Sequence, residues 1–394
     1  MSGNSTYNYV ATCSFGAEGV LADELRALNG VFGASEKRAA VGFEGTMEAG
    51  YLACLWCRTA SRILLELGTF RGDTADALYE GVRGIDWTEH IASDGTLAVS
   101  FVGESPDIRN SHFGAMRTKD AIVDQIREAT GTRPSVDLDK PDLRVHVHLR
   151  KNQFSVSIDM AGDPLNRRGY RRTAGPAPIK ETLAATILLL AEWPEAARNG
   201  APLVDPMCGS GTFLLEAAGM ALDRAAGLHR PRWGFDKWLQ HDVKLWNRCV
   251  MEAEERRMDA AGRPVEIYGA DIDPDVVRGA RLNADKADLP MKIKRWSIED
   301  SAPPPSPRDE VPLGLMVTNP PYGERLGSRS GAERLGRKLG AVMLEAYVGW
   351  RCIVIAGSPE LARGIGLVPV RSKEMWNGAI ECRLFQYDIA GDWR

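Results

Sequence analysis

The chain has little of what a membrane, secreted or nucleic-acid-coating protein needs. Its longest apolar stretch, residues 183–191, is too short to cross a bilayer, and no basic and apolar leader segment opens the sequence. The net charge is −4, so contact with nucleic acid requires a local basic patch rather than a basic surface overall. These features predict a cytoplasmic protein with no membrane partner.

Cysteine and histidine are sparse and badly spaced for metal binding. The seven cysteines are odd in number and scattered, which is typical of reduced thiols. Cys54 and Cys57 form the only close pair, and they lack a second pair, so packed thiols are favoured over a zinc or redox site. His146 and His148 share a strand face with arginines and no carboxylate. No metal site is predicted.

The chain of 394 residues is too long for one average domain. Residues 1–67 and 68–165 each mix short strands with amphipathic helices, and residues 166–178 form a basic linker. Strands and helices then alternate through residues 179–394, which predicts an α/β domain with a parallel sheet. A closing hairpin with Asn377-Gly378 as its turn is unusual in nicotinamide-binding folds and is typical of the seven-stranded, Rossmann-like class I methyltransferase sheet.

A glycine-rich turn follows the first strand of this α/β domain. Residues 205–212 have the pattern Asp-x-x-x-Gly-x-Gly-Thr, which departs from Gly-x-Gly-x-x-Gly at Leu214. Gly209 and Gly211 let the backbone approach the methionine part of a nucleotide-like cofactor, and Asp205 can face its ammonium or an ordered water. S-adenosylmethionine is the cofactor that this turn predicts.

Polar residues lie at or just after the ends of the next two strands. Asp271 lies where a carboxylate can accept both hydroxyls of a ribose, while Asp273 suits the N-cap of the following helix. A contact to the adenine amine is expected after the third strand, where the sequence has Ser297 with Glu299 and Asp300 nearby. Which of these three groups reads the adenine stays open.

The most informative motif is Asn319-Pro320-Pro321-Tyr322, at the end of a later strand. An exocyclic amine is a poor nucleophile because its lone pair is delocalised into the ring. The Asn319 side-chain oxygen and the Pro320 carbonyl can each accept one N–H bond and so aim that lone pair at a methyl donor. Tyr322 can stack on a flipped base. The motif therefore predicts methylation of a nucleobase amine.

Residues 166–180 contain five basic residues and no acid. This segment can be a solvated linker with no binding role. Alternatively, its basic residues contact RNA phosphates and its aromatic ring stacks on a base. The functional interpretation is favoured because little else in the chain supplies a basic surface. The predicted RNA-binding residues of this linker are Arg167, Arg168, Tyr170, Arg171 and Arg172.

Seven segments together resemble the bacterial THUMP-domain 23S rRNA guanine-N2 methyltransferases, in their RlmL-type branch. The resemblance covers nearly the whole chain. It is carried by residues 108–111, 119–124, 178–183, 205–212, 227–230, 232–235 and 319–326.

The resemblance implies an N-terminal ferredoxin-like domain, a THUMP RNA-binding domain and a single class I S-adenosylmethionine-dependent methyltransferase domain. It implies N2-methylguanosine as the product, and 23S rRNA or a large-subunit assembly intermediate as the partner of a protein expected to be monomeric. Ser297 stands where relatives tend to have an acid. The residues carried over as cofactor-binding are Lys180, Glu181, Thr182, Met207, Cys208, Thr212, Ile272 and Asn319, and those carried over as RNA-binding are Arg109, Asn110 and Lys119.

Three alternatives remain at the level of sequence. An amine methyltransferase acting on tRNA or on DNA adenine shares the Asn-Pro-Pro-Tyr motif, although the N-terminal domains and the basic linker favour RNA over DNA. A non-catalytic rRNA-binding assembly factor is disfavoured by the intact Gly209, Gly211, Asp271 and Asn319. A nicotinamide oxidoreductase is disfavoured by the terminal hairpin.

Overall fold

The structure is a computed structural model that describes residues 5–171, 179–304, 314–321, 329–378 and 380–390. The predicted site residues Arg172 and Tyr322 lie outside the described residues. The chain divides into two compact units. The first unit is Met1–Cys13, Ala22–Leu165 and Arg230–Met251, and the second is Ser14–Leu21, Asn166–His229 and Glu252–Arg394.

The first unit is built on one eight-stranded sheet with the order β2-β3-β1-β4-β8-β7-β5-β6. The predicted boundary after residue 67 falls inside β4, which pairs with β1 on one side and β8 on the other. The two predicted N-terminal domains therefore share a sheet, and their exact limits stay a prediction. The elements are β1 Tyr7–Thr12, α1 Glu18–Arg26, β2 Val31–Lys37, β3 Ala40–Gly45, α2 Met47–Trp56, β4 Arg62–Arg71, α3 Ala75–Arg83, β5 Thr96–Val102, α4 Ser111–Thr130, β6 Ser135–Val136, β7 Leu143–Arg150 and β8 Gln153–Asp159.

The second unit contains a seven-stranded sheet with the order β11-β10-β9-β12-β13-β15-β14. The first five strands in this order are parallel, and the two-strand hairpin is antiparallel. The predicted class I methyltransferase sheet is confirmed. The elements are α5 Glu181–Leu190, α6 Trp193–Arg198, β9 Leu203–Asp205, α7 Thr212–Ala221, β10 Ile267–Asp271, α9 Pro274–Ala287, β11 Lys292–Arg295, β12 Leu315–Thr318, α10 Arg329–Ala346, β13 Arg351–Ala356, α11 Pro359–Ile365, β14 Arg371–Asn377 and β15 Ile380–Asp388. Helix α8, Val243–Asp259, belongs to the first unit up to Met251 and to the second unit from Glu252.

Apolar residues cover both faces of the second sheet. Helices α5, α7 and α9 pack on one face through Leu183, Phe213 and Val277. Helices α10 and α11 pack on the other through Leu339 and Leu361. With both faces covered, the carboxyl edge of the parallel strands remains as the place for a ligand.

The closing hairpin differs from its prediction by one residue. Asn377 pairs with Ile380, so Asn377 is the last residue of β14 rather than the first residue of the turn. Gly378 has a φ of 70°, the left-handed conformation that a tight hairpin turn requires. Asn377 thus belongs to the strand, and its side chain accepts the backbone N–H of Lys180 at 3.2 Å.

Part of the segment between α7 and β10, Arg230–Met251, belongs to the first unit. Tyr51 of α2 bonds His241 Nδ1 at 2.7 Å and accepts the N–H of Asp242 at 2.9 Å. Its ring also packs on Phe235 and Trp246 at 4.9 and 5.6 Å. Trp233 is buried in this aromatic cluster and Trp246 is half-buried there, while the buried Trp238 donates its indole N–H to His90 at 2.9 Å.

Two further features concern the described residues alone. None of their helices combines the length and apolarity needed to span a bilayer. All seven cysteines are buried free thiols, so the packed-thiol interpretation of Cys54 and Cys57 is confirmed.

Glycines set how closely α10 and α11 approach. A Cβ on Gly340 would lie 2.1 Å from the carbonyl oxygen of Ile365, and backbone cannot yield as a flexible side chain can. We therefore expect Gly340→Ala to lower the free energy of unfolding by about 1–3 kcal/mol, measured by urea denaturation. Leu344→Ala, at an exposed position of the same helix, is the control and should change it by less than about 0.5 kcal/mol. Equal effects of the two substitutions would contradict the close approach.

Candidate cofactor-binding site

A cavity of about 560 Å³ opens at the carboxyl ends of β9, β10 and β12. Ten of the predicted site residues lie in its wall, together with Pro206, Ser210, Phe213, Val276, Trp296, Ile298, Glu299 and Lys338. The ten are Asp205, Met207, Cys208, Gly209, Thr212, Asp271, Ile272, Ser297, Asn319 and Pro321. The strand order therefore brings together residues that are more than 100 positions apart.

The turn between β9 and α7 has a fixed backbone conformation. Gly209 and Gly211 have φ of 54° and 82°, which only glycine adopts readily. The Cys208 N–H donates to the carbonyl of Ala270 at 2.7 Å, and the Gly209 N–H donates to Asp271 Oδ2 at 3.1 Å. Gly211 does not line the cavity and instead begins α7. The backbone of this turn thus lies directly against the cavity.

Two carboxylates lie beside this turn and accept hydrogen bonds from different backbone groups. Asp205 is buried and accepts the Met207 N–H at 3.1 Å, and its burial raises its pKa to about 7. Asp271 uses one oxygen for Gly209 and the other for the N–H of Asp273 at 3.0 Å. Burial also raises the pKa of the Cys208 thiol, so this wall residue is protonated and is not a nucleophile.

A side-chain network outside the cavity holds the same turn. Arg171 donates to Ser210 Oγ at 3.0 Å, to Thr212 Oγ1 at 3.1 Å and to Glu181 Oε1 at 2.6 Å. From α9, Asn283 donates its side-chain N–H to the Ser210 carbonyl at 3.1 Å. Asn283 was missed in the sequence, where an asparagine inside an amphipathic helix gives no signal.

Two of the predicted RNA contacts in the linker are wrong. Arg168 is 3% exposed and forms an ion pair with the buried Glu216 of α7 at 3.2 Å. Tyr170 is 6% exposed and donates its hydroxyl to the same carboxylate at 3.1 Å. The buried carboxylate requires these partners, so neither side chain can reach phosphate or stack on a base.

The other two described arginines of the linker, Arg171 and Arg167, differ in exposure. Arg171, predicted to contact phosphate, is committed to the glycine-rich turn through the bonds described above. Arg167 is exposed, and its contact with RNA stays a prediction.

The start of α5 contributes less to the cavity than predicted. Ile179 lines it, whereas Lys180, Glu181 and Thr182 do not. Glu181 is buried and acts through Arg171, and Thr182 is buried within the helix. Lys180 is exposed beside the hairpin turn.

The end of β11 supplies a polar and an apolar part of the wall. Glu299 bonds both the Lys338 ammonium and the Ser297 hydroxyl, and the bond from Lys338 holds the pKa of Glu299 at about 2. Asp300 turns away and accepts the backbone N–H of Ser297 at 3.4 Å. Trp296 and Ile272 expose apolar surface to the same part of the cavity.

The described residues of the Asn-Pro-Pro-Tyr motif either line the cavity or are buried beneath its surface. Asn319 and Pro321 face the cavity, while Pro320 is buried. The preceding Thr318 is fully buried in β12, between β9 and β13. Asn319 therefore projects from the end of a strand that is fixed on both sides.

The predicted RNA-binding residues of the first unit have local partners. Asn110 caps α4 by accepting the Phe113 N–H at 2.8 Å, and Arg109 donates to the Pro106 carbonyl at 3.0 Å. Lys119 forms an ion pair with Asp120. Arg109 and Asn110 are exposed, and RNA contact by these three residues stays a prediction.

A sheet of this order with a glycine-lined cavity at its carboxyl edge defines a class I methyltransferase domain. Residues 168–386, more than half of the chain, match the family described as the RMKL-like methyltransferase domain, and the chain belongs to that family. Residues 72–159 match the THUMP domain, and residues 8–64 match the RlmL ferredoxin-like domain.

Individual relatives agree with this family. Ribosomal RNA large subunit methyltransferase K/L of Ectopseudomonas mendocina is 45% identical over 96% of this chain and 52% of its own length. The chain thus spans about half the length of the curated relatives it matches. The structure of SMU.472 in complex with SAH is 29% identical, with a TM-score of 0.84, and covers 99% of this chain and 100% of that one. A Listeria monocytogenes structure described as a predicted N6-adenine-specific DNA methylase is 28% identical, with a TM-score of 0.82, and covers 97% and 96%.

The Arg171–Glu181 pair should stabilise the second unit. Glu181 is almost fully buried, so removal of its partner in Arg171→Met leaves an uncompensated charge and should lower the free energy of unfolding by about 2–4 kcal/mol. Arg278→Met breaks an exposed pair with Asp275 and should change it by less than about 1 kcal/mol. Urea denaturation measures both. A loss for Arg171→Met no larger than for the exposed pair would contradict the network.

Proposed function

We propose that this protein transfers a methyl group from S-adenosylmethionine to the exocyclic N2 amine of a guanosine in 23S rRNA. One observation carries the proposal: the glycine-rich turn, Asp271 and Asn319 face a single cavity. The family and the names of the relatives support ribosomal RNA as the substrate class. The THUMP match supports recognition of folded rRNA or a large-subunit assembly intermediate in the cytoplasm.

The donor set of the cavity fits S-adenosylmethionine. Asp271 lies at the end of β10, where its carboxylate can accept the ribose hydroxyls. Asp205 is buried, and an ammonium group placed beside it would compensate its charge. The backbone at Gly209 can approach the methionine part because no Cβ intervenes.

We assign the adenine contact to Glu299, with Trp296 and Ile272 as apolar walls. Glu299 faces the cavity, whereas Asp300 is used as a backbone acceptor, and the Ser297 hydroxyl bonds Glu299. The ion pair with Lys338 keeps Glu299 ionised and so able to accept the adenine amine. Glu299 would thus take the role of the acid that relatives tend to have where this chain has Ser297.

The chemistry requires orientation more than strong base catalysis. S-adenosylmethionine supplies an electrophilic methyl group on a sulfonium. The Asn319 side-chain oxygen and the Pro320 carbonyl would each accept one N–H bond of the target amine, which turns its lone pair toward that methyl group. The N–C bond forms as the S–C bond breaks, and the nitrogen then loses one proton to water.

The direct test incubates the protein with S-adenosylmethionine and unmodified 23S rRNA, with tRNA and DNA in parallel, followed by mass spectrometry of the nucleosides. The expected product is N2-methylguanosine from rRNA alone. A methylated adenine, or product from tRNA only, would overturn the proposed substrate. The absence of product from rRNA and from assembly intermediates, despite SAH binding, would overturn the proposed reaction.

Asn319→Ala tests the role of the amide. The variant should bind SAH nearly as the wild type does, because the glycine-rich turn is unchanged, but single-turnover methylation should slow by about 10²-fold or more. Asn199→Ala, at an exposed position outside this cavity, is the control and should keep the wild-type rate. Unchanged turnover of Asn319→Ala would sink the proposed role.

Asp205 should make cofactor binding depend on pH. Its pKa is raised to about 7, so the side chain is neutral below and ionised above this value, and only the ionised form attracts the cofactor ammonium. The affinity for SAH should therefore rise from about pH 6 to about pH 8, and calorimetry should show no such rise in Asp205→Asn. The same rise in both proteins would assign the pH dependence to another group.

A further inference from the structure

The tip of the β14–β15 hairpin lies at the same edge of the sheet as the cavity. The carboxyl end of β13, Ala356, pairs with Arg383 of β15, and Arg383 pairs in turn with Glu374 of β14. The residues of both hairpin strands beyond these pairs therefore project past the carboxyl edge of β13. Strand β14 is three positions from β12, which places the tip about 14 Å across the sheet from the strand that carries Asn319.

Two aromatic side chains meet at this tip. Phe15 is 46% exposed and packs edge-on against Trp376, with ring centroids 5.1 Å apart and planes at 85°. Gly16 allows this approach, since a Cβ there would lie 3.1 Å from the Glu374 carbonyl oxygen. Phe15 is exposed and Trp376 is half-buried, so this aromatic pair has apolar surface available to a planar ligand.

A lysine lies beside the tip of the hairpin. The Lys180 N–H donates to Asn377 Oδ1 at 3.2 Å, and its ammonium lies 3.5 Å from the position of a Cβ on Gly378. Ile179, the preceding residue, lines the cavity. Phe15, Trp376 and Lys180, here called the hairpin platform, therefore lie at the same edge of the sheet as the cavity.

We propose that the hairpin platform binds single-stranded RNA next to the target nucleotide. An unpaired base stacks on Trp376 and Phe15, and the Lys180 ammonium contacts a phosphate of the same strand. This proposal rests on the proposed function, because it supplies the neighbouring contact that a flipped target base requires.

The charges around the platform favour stacking as the main source of affinity. Arg383 is paired with Glu374 at 2.6 Å, and the exposed Glu381 stands opposite Trp376 in the hairpin. Among the residues the structure describes there, Lys180 lies beside Gly378, and Lys373 Cε lies 3.5 Å from the position of a Cβ on Gly16. Base stacking on aromatic rings is sequence-tolerant, so the platform fits a single strand held for position rather than for its sequence.

The test uses fluorescence anisotropy with two probes, an oligoadenylate and an abasic ribose-phosphate oligomer of the same length. Trp376→Ala should weaken oligoadenylate binding about tenfold or more and leave the salt slope unchanged. It should leave binding of the abasic oligomer unchanged. Trp376→Phe should restore most of the affinity. Lys180→Gln should instead reduce the slope of log affinity against log salt by about 0.7.

Two controls make the result decisive. Val368→Ala, at a 90% exposed position before β14, should bind oligoadenylate as the wild type does. SAH binding, measured for each variant, should match the wild type and so report an intact second unit. If Trp376→Ala does not fold, Phe15→Ala and Trp376→Phe are compared with the wild type in the same binding measurements.

The outcomes separate this inference from the proposed function. If the wild type methylates rRNA but Trp376→Ala and Phe15→Ala bind oligoadenylate unchanged, the platform does not bind RNA and the proposed function stands. If Trp376→Ala lowers binding of both probes equally, stacking is not the interaction and the inference fails. If the wild type binds neither probe nor methylates rRNA, the proposed function itself fails.

Discussion

The conformation of the turn after β9 is the constraint on which the site depends. A cofactor that is bound by backbone requires a backbone that is already fixed, because an ordering cost would otherwise be subtracted from the binding free energy. The turn is fixed from several directions. The Ala270 carbonyl and the Asp271 carboxylate hold it from β10, the Asn283 amide holds it from α9, and Arg171 holds it from the linker.

The buried charges of the linker follow from this constraint. Arg168 and Tyr170 satisfy Glu216 on the helix that the turn begins, and Arg171 satisfies Glu181 on α5. The segment that links the predicted domains is therefore part of the methyltransferase unit. The charges of Arg168 and Arg171 serve internal ion pairs, which leaves Arg167 as the exposed arginine among the described residues of the linker.

The sequence predicted features whose signal is local. Gly209 and Gly211 mark a left-handed turn, Asp271 ends an apolar strand, and the alternation of β7 and β8 predicts their hairpin across Lys151 and Asn152, whose φ values of 49° and 57° suit that turn. Each of these signals depends on a few neighbouring residues, and backbone geometry alone decides the outcome.

The errors concern partners that are distant along the chain. Arg168 has the sequence context of a surface charge, and only its ion pair with the distant Glu216 shows that it is buried. Edge strand β2 was missed because few of its side chains are buried, so no apolar alternation marks it. Tertiary partners of this kind cannot be read from composition or periodicity.

A crystal structure of the protein with bound SAH would test the central claim most directly. The account predicts that the ribose hydroxyls lie within hydrogen-bond distance of Asp271, that the adenine lies between Ile272 and Trp296, and that the sulfur faces Asn319. SAH bound in another cavity, or bound here with its sulfur directed away from Asn319, would contradict the account.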